Sequence, residues 1–506
     1  MGYPSLHILV AASEATPYAK TGGLADVVGA LSVEFTKLGH DVILLLPYHR
    51  CVRDSGRSFR PVGSLKVPTP TGLVDTVIEE DRVPVGERGQ RIRVWAFRHD
   101  PFFDRAGLYQ EKGIDYADNL DRFVFFSRAV VEGMAFLKNQ HSWRPDILHL
   151  HDWQSALCAV YLKTIERERR DVQGARIVLT LHNVGYQGIF AGSAFARTGL
   201  APSLFTTSTL EFHGSLNLLK GGIVFADYLT TVSPTYAREM LTPEFGFGLD
   251  GLLRGHQDRL TGILNGIDIE QWNPDTDPYL PAHYSVTNLA GKNICKKALH
   301  RELQLPEKDV PLVSVIARLT SQKGSDLIGD IVPDLLTQEV QLVILGTGDP
   351  AYEERFRVFQ KRFPQQFGLA IGFDEVLAHR IEAGADLLLM PSRYEPCGLT
   401  QLYSLRYGTV PVVRKTGGLA DTVVPFTPTN VREGKATGFQ FEAATAESLL
   451  SAVKEAVAVY RDRSTWSQLM SAGMNTDVSW ARSAQAYNRL FQSLVGTSKE
   501  QGWRPI

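Results

Sequence analysis

The chain is poor in cysteine. Its 506 residues hold four, Cys51, Cys158, Cys295 and Cys397, scattered without paired spacing. That pattern argues against a disulfide framework and a zinc knuckle and fits a reducing, cytoplasmic compartment. Long apolar runs are absent too. The stretch Leu6–Ala12 is too short to span a membrane and has no basic flank of the signal-peptide kind, and Met1-Gly2 is not followed by Ser or Thr at position 6. Neither sign of charge dominates. With 53 Lys+Arg against 55 Asp+Glu the formal net charge is -2, so neither nucleic acid nor an anionic membrane is an expected partner. A Walker loop and a G-x-G-x-x-G fingerprint are missing after the first strand, which leaves P-loop ATP hydrolysis and dinucleotide chemistry unsupported.

What remains has the composition of an ordinary globular protein, 44% hydrophobic and 21% charged. At this length one hydrophobic core does not suffice, and two or more domains are expected. An internal repeat points the same way. Lys20-Thr21-Gly22-Gly23-Leu24-Ala25-Asp26-Val27-Val28 returns as Lys415-Thr416-Gly417-Gly418-Leu419-Ala420-Asp421-Thr422-Val423, with eight identities in nine. The separation is far too long for a solenoid and suits two domains. A shared ligand-binding role and a coincidence of two Gly-rich strand-to-helix turns both account for it.

Each half alternates apolar strands with helical periodicity. Leu6–Ala11, Val42–Leu46, Asp146–Leu150 and Ile177–Leu181 read as strands of the first half. Leu312–Ala317, Leu342–Leu345, Asp386–Met390 and Thr409–Val413 read as strands of the second. Leu24, Val27, Val28, Leu31, Phe35 and Leu38 form one helix face, and Leu327, Ile328, Ile331, Leu335 and Leu336 form another. Continuous apolar strands between helices imply an α/β fold of two doubly wound parallel sheets. Pro68–Gly72 and Arg82–Gly89 read as turns of a β-hairpin excursion. The Asn-Gly turn in Thr261–Asp268 marks the domain boundary, giving 1–262 and 263–479, and a periodic C-terminal segment follows at 480–506.

In doubly wound sheets ligands bind beyond the carboxyl ends of strands, so residues there are the first candidates. Lys20 to Gly23 follows the first strand and precedes a helix; backbone N–H groups, the helix N-terminus and Lys20 could cradle an anion. A tight turn with an exposed lysine is the plainer reading. Arg318 and Lys323 stand five residues apart after the first strand of the second half, as diphosphate neutralisation requires, or as a solvated loop allows. Glu395 lies in Arg393-Tyr394-Glu395-Pro396-Cys397-Gly398-Leu399-Thr400, either as a ligand for sugar hydroxyls or as an acidic helix-entry cap. His149-Leu150-His151-Asp152-Trp153 resembles a metallohydrolase strand end, but no complementary ligand set accompanies it and no metal is expected. Asp152 beside Trp153 reads better as a carbohydrate contact, and His182-Asn183 follows a neighbouring strand.

Taken together, these segments resemble bacterial glycogen synthases and plant starch synthases. Lys20–Leu24 is similar to that family's K-x-G-G-L motif. His151-Asp152-Trp153, His182-Asn183, Pro243–Leu253, Asn265–Asp268, Arg318 with Lys323, and Glu395–Leu399 follow in the family's order. The resemblance spans about residues 6 to 495. It implies a GT-B architecture of two Rossmann-like domains facing a deep cleft, with a C-terminal helix crossing back. The first domain would carry the acceptor and catalytic parts and the second the nucleotide sugar. It implies retaining transfer of glucose from ADP-glucose to an α-1,4-glucan such as glycogen, with no metal and no other cofactor.

By position, the resemblance assigns Lys20, Gly22, Gly23 and Asp26 to the donor side, and Arg318 and Lys323 to the leaving phosphates. Glu395 and the backbone around Cys397, Gly398, Leu399 and Thr400 would hold the donor glucose. His182 and Asn183 would contact that sugar, Asp152, Trp153 and Asn265 would shape its site, and Tyr109 would help bind acceptor. Phe373 would stack on the nucleobase, where relatives often carry Tyr. Retention without an obvious second carboxylate favours a front-face transfer over a glucosyl ester on Glu395. A UDP-glucose or sucrose synthase-like transferase and a silent glucan-binding paralogue are the competing functions.

Overall fold

The computed structural model describes residues 4–86 and 89–500, the side chains of 497–500 excepted. Two compact units divide the chain. The first runs to Val232 and adds Ala237–Ile263 and the stretch from Ser483; the second holds Ser233–Tyr236 and Leu264–Arg482.

The first unit is built on a nine-stranded sheet. Its strands lie in the order Leu260–Gly262, Tyr228–Thr231, Arg176–Leu181, Ile147–His151, His7–Ala11, Asp41–Pro47, Gln90–Arg98, Gly72–Val85 and Arg60–Thr69. The first seven run parallel, and the last two add an antiparallel edge. Strand sequences such as Ile8–Ala11 and Val42–Leu46 are apolar at every position because helices cover both faces, and they are buried throughout. The hairpin therefore extends this sheet rather than leaving it. Its first turn falls at Thr69–Gly72, but 82–85 continue the strand to Val85. The run Glu79-Glu80-Asp81-Arg82 disguised that strand as a turn. The acids are tolerated inside because each is met: Trp95 Nε1 and Arg82 donate to Glu80 at 3.0 and 2.6 Å, Tyr18 and Arg57 donate to Asp81 at 2.9 and 2.8 Å, and Arg98 stands 3.6 Å from Glu79.

The helix Trp480–Glu500 closes the first unit's core. Tyr487 and Phe491 pack against Phe35 and His149 with ring centroids 5.3–6.1 Å apart, and Asn488 bonds His40 at 3.1 Å.

The second unit carries six parallel strands, ordered Phe367–Ile371, Gln341–Gly346, Leu312–Ile316, Leu387–Met390, Val410–Arg414 and Phe439–Phe441. Counted along the chain this is the 3-2-1-4-5-6 order of a doubly wound sheet. Helices Ser325–Leu336 and Ala446–Tyr460 bury Leu335, Val332, Val453 and Ala456 against it. Each sheet has a switch point, where successive connections leave in opposite directions. In the first unit it lies between His7–Ala11 and Ile147–His151, and in the second between Leu312–Ile316 and Leu387–Met390.

The two copies of the repeat fold differently. In the first, Gly22 is an extended N-cap (φ −164°) in open space, the 15-residue helix Gly23–Lys37 follows, and Lys20 pairs with Asp26 at 2.8 Å. In the second, the six-residue helix begins at Gly417 itself (φ +44°), where a Cβ would lie 1.9 Å from the Glu395 carbonyl oxygen. A Cβ on Gly418 would lie 2.1 Å from the Cys397 carbonyl, and the Gly418 N–H donates to the Glu395 carbonyl at 3.1 Å. Lys415 pairs instead with Glu442, while Asp421 accepts from Ser233 and Thr235. The second copy is thus a packing device beneath the Glu395 loop, with its Lys and Asp turned to other partners. Accordingly, Gly417→Ser should lower unfolding free energy by about 2 kcal/mol or more in urea denaturation. Gly22→Ser, which places a good N-cap in unobstructed extended backbone, should change it by less than about 0.5 kcal/mol. Equal effects would show that the copies do not differ in this way.

Candidate functional site

In the first unit the loops leaving the switch-point strands gather a network of buried polar groups. Ser13 and Glu14 follow the strand His7–Ala11. Both Glu14 oxygens are engaged: Oε2 accepts the Thr21 N–H at 2.5 Å, and Oε1 accepts Thr21 Oγ1 at 2.7 Å and the Tyr109 hydroxyl at 2.6 Å. Since Tyr109 donates to Glu14, Ser13 Oγ donates to Tyr109, at 2.6 Å. Burial first, then the Glu14 charge, hold the Tyr109 phenol well above its ordinary value, so it stays protonated. One carboxylate thus fixes both Tyr109 and the exposed loop Lys20–Gly23.

The strands Ile147–His151 and Arg176–Leu181 end in a histidine-rich cluster. His149 Nε2 bonds Thr180 Oγ1 at 2.7 Å, and His151 Nδ1 lies 2.9 Å from His182 Nε2. Burial holds all three imidazoles neutral, His149 and His182 down to about 3. Their neighbours are hydroxyls and each other, and no group of three His, Cys, Asp or Glu side chains among the described residues is arranged to hold a metal ion. Asp152 opens the helix Asp152–Lys163 with φ +53°, a costly backbone for a non-glycine residue. Its Oδ1 accepts the His182 N–H at 2.7 Å, which joins the two strand ends. Burial raises its carboxyl to about 8 against the pull of the His182 and Asn183 amides, so it is largely neutral at pH 7. Trp153 stands edge-on to Phe123 at 4.9 Å and covers Gly188, where a Cβ would lie 2.5 Å from the indole. The Asn183 side chain accepts the Gly185 N–H at 2.9 Å and shapes that turn.

The second unit has a corresponding arrangement at its own switch point. Lys323 ends the turn Ser321–Lys323 after the strand Leu312–Ile316, and Glu395 follows the strand Leu387–Met390. Lys323 Nζ meets Glu395 Oε2 at 2.5 Å, and Ser392 Oγ donates to the same oxygen at 3.0 Å. Glu395 is 5% exposed. Its Oε1 makes no hydrogen bond among the described residues. Arg393 clamps the two loops, with both Nη atoms on Asp326 at 2.8 and 2.6 Å and its N–H on the Gln322 carbonyl at 2.8 Å. Gly324, at φ +72°, passes so close to Pro391 that a Cβ would lie 2.4 Å from its carbonyl oxygen. Arg318 is exposed, and its guanidinium has no ion pair among the described residues.

Cys397 is buried, its thiol pushed up to about 12 by burial against a hydrogen bond from the Asn265 backbone. Gly398 (φ +76°) and Leu399 lead into the helix Thr400–Arg406, braced by Gln401 Nε2 on the Cys397 and Gly398 carbonyls at 2.9 and 3.1 Å. Phe373, just past the strand Phe367–Ile371, is 86% exposed.

The starch synthase catalytic domain family matches residues 7–255, and glycosyl transferases group 1 matches 296–468. A glycogen synthase from Anaeromyxobacter sp. (strain Fw109-5) is 48% identical over 494 residues, 97% of this chain and 100% of that one. The chain belongs to the glycogen and starch synthase family. The catalytic domain of starch synthase IV from Arabidopsis thaliana, solved with ADP and acarbose, is 35% identical with a TM-score of 0.87, covering 97% of this chain and 100% of that one. The family makes the chain a glycosyltransferase of GT-B fold, a hexosyltransferase. Sucrose-phosphate synthase from Thermosynechococcus elongatus, 15% identical with a TM-score of 0.54 over 97% and 100% of the two chains, shares the fold alone.

Within each unit of this synthase-family chain, most candidate residues lie near the switch point, but Phe373 in the second follows an edge strand of its sheet. Lys20, Gly22, Gly23, Asp26, Tyr109, Asp152, Trp153, His182 and Asn183 belong to the first, and Asn265, Arg318, Lys323, Phe373, Glu395 and Cys397–Thr400 to the second. Sequence reasoning missed Glu14, Ser392 and Arg393. Glu14 sits three residues past a fully apolar strand, the position that should have drawn attention to it.

Asp152 gives a pH test. Its folded value, about 8, exceeds the ordinary 3.8, so between these limits the folded chain holds the extra proton and stability falls as pH rises. The buried histidines act in the opposite sense, but only below about 6.5. From pH 6.5 to 8.5 Asp152 should therefore contribute a loss of up to about 2 kcal/mol in urea denaturation, and Asp152→Asn should remove that share of the slope, leaving the share of the buried Glu382 carboxyl, which burial also raises. An unchanged slope would place the proton elsewhere.

Proposed function

We propose that this chain transfers glucose from ADP-glucose to the non-reducing end of an α-1,4-glucan such as glycogen, retaining the anomeric configuration and releasing ADP. The observation that carries the reading is the Lys323–Glu395 pair, a cation and a carboxylate held side by side, with unpaired Arg318 on the loop before Lys323. A sugar nucleotide presents a diphosphate that gains charge on leaving and a ring of hydroxyls, and this set answers both.

In this reading Arg318 and Lys323 take the charge of the departing ADP, a task that needs no metal ion. Glu395 Oε1 and the amides of Cys397–Thr400 hold the glucose hydroxyls, with Asn265 supporting Cys397. Phe373 stacks on the base; its exposed ring suits this, although it lacks a phenol hydroxyl. Lys20, steadied by Asp26, and the backbone of Gly22 and Gly23 serve the donor. His182, with Asn183 beside it, approaches the sugar. A neutral imidazole there can hydrogen-bond a hydroxyl without placing positive charge beside an oxocarbenium-like carbon. Asp152 and Trp153 shape the sugar site, and Tyr109 meets the acceptor.

The acceptor hydroxyl attacks from the face that the phosphate leaves. Its oxygen forms the new bond to the anomeric carbon, the old carbon–oxygen bond breaks toward ADP, and the departing phosphate takes the hydroxyl proton. The front-face route suits the pairing of Glu395 Oε2 with Lys323 and Ser392, which lowers its nucleophilicity. A cytoplasmic setting fits four unpaired thiols, and no helix among the described residues is long and apolar enough to cross a membrane.

Lys323→Ala and Glu395→Ala should each lower kcat for ADP release about 100-fold or more with folded protein by circular dichroism. Lys415→Ala, at the matching lysine of the second repeat copy, should keep the wild-type rate. Near-normal turnover in the first two would remove them from the mechanism.

A further inference from the structure

A polar cavity lies in the second unit, at the opposite end of its sheet from Arg318 and Glu395. Asp309 and Asp386, which line it, stand just before the strands Leu312–Ile316 and Leu387–Met390. Its volume is about 670 Å³, within the range of small-molecule sites.

Cations dominate its wall: Lys292, Lys296, Lys297, Lys308 and Arg463. The acids beside them are already engaged. Asp386 takes Lys296 at 2.6 Å and the Leu312 N–H at 2.8 Å, Asp309 takes Arg463 at 3.1 Å, and Glu307 takes Arg301 at 2.9 Å. Lys292 is buried and donates to the Ala383 and Tyr407 carbonyls, both at 3.1 Å, and to Thr409 Oγ1 at 2.8 Å, with no ion pair. Lys297 and Lys308 are exposed and make no ion pair among the described residues. Two cations at the rim and one in the wall are therefore left without a carboxylate.

His300 lines the same cavity, is 1% exposed and has the Gln341 side chain beside it. Trp466 and Met470 add an apolar wall beside these polar groups.

We propose that this cavity binds a small phosphorylated anion, a phosphate or its monoester, with Lys297 and Lys308 taking the charge. Charge-assisted bonds to phosphate fit lysines without acid partners, and the apolar wall offers a place for an ester's organic part.

The test is calorimetric titration of the full chain with inorganic phosphate and with ribose 5-phosphate at fixed ionic strength. It compares the wild type, Lys297→Glu/Lys308→Glu and Arg318→Ala/Lys323→Ala. The charge reversals should weaken binding at least about tenfold, while the second pair leaves one site at wild-type affinity. On saturation of the wild type the His300 ring-proton resonances should shift. Tighter binding of ribose 5-phosphate would mark an ester site, and equal binding a phosphate site. If the reversals unfold the chain, Lys297→Gln/Lys308→Gln gives the same readout. The proposal is overturned by no binding to the wild type, by loss only in Arg318→Ala/Lys323→Ala, or by affinity that the rim substitutions leave unchanged.

Discussion

Two loops that leave neighbouring parallel strands of the second unit are tied by one buried contact, Lys323 to Glu395 at 2.5 Å. Much of the local architecture serves it. Arg393 holds the lysine's loop through Asp326 and Gln322, Gly324 lets that loop press against Pro391, and Gly417 and Gly418 let the Glu395 loop settle onto the short helix beneath. A carboxylate with so little exposure is expensive unless paired, and removing its partner leaves an uncompensated charge. The pair is accordingly weak ground for stability but strong ground for position. It holds a cation and a carboxylate at fixed separation at the switch point, where a doubly wound sheet opens to a ligand.

The first unit reaches a similar end by other means. Its switch point is furnished with neutral or internally satisfied groups: three uncharged imidazoles, a largely protonated Asp152, and Glu14 spent on Thr21 and Tyr109. The exposed Lys20 provides charge on a loop whose base is fixed by Glu14. The strained backbone of Asp152 belongs to the same pattern, since from that turn its carboxyl accepts the His182 amide.

The parallel architecture was legible because helix-covered strands must be apolar throughout, as Ile8–Ala11 and Leu342–Leu345 are. Arg318, Lys323, Glu395 and His182 could be singled out because they follow such strands. The strand through Arg82–Val85 escaped because the acids before it are met partly by Trp95, Tyr18 and Arg57, partners that sequence does not place nearby. The repeat shows the limit most clearly. Eight identical residues in nine give an extended, open Gly22 in one copy and a left-handed, enclosed Gly417 in the other, because the loop packed above the second is a tertiary fact. Glu14 went unnoticed for the same reason: its role lies in contacts to Tyr109, 95 residues away.

The central claim is glucosyl transfer from ADP-glucose to a glucan. Its most direct measurement is ADP and UDP release from ADP-glucose and UDP-glucose, each with and without glycogen, followed by linkage analysis of the lengthened chains. The account predicts glycogen-dependent release strongly favouring ADP-glucose, with new α-1,4 bonds at non-reducing ends. A preference for UDP-glucose, release indifferent to glycogen, or glycogen binding with no turnover would contradict it.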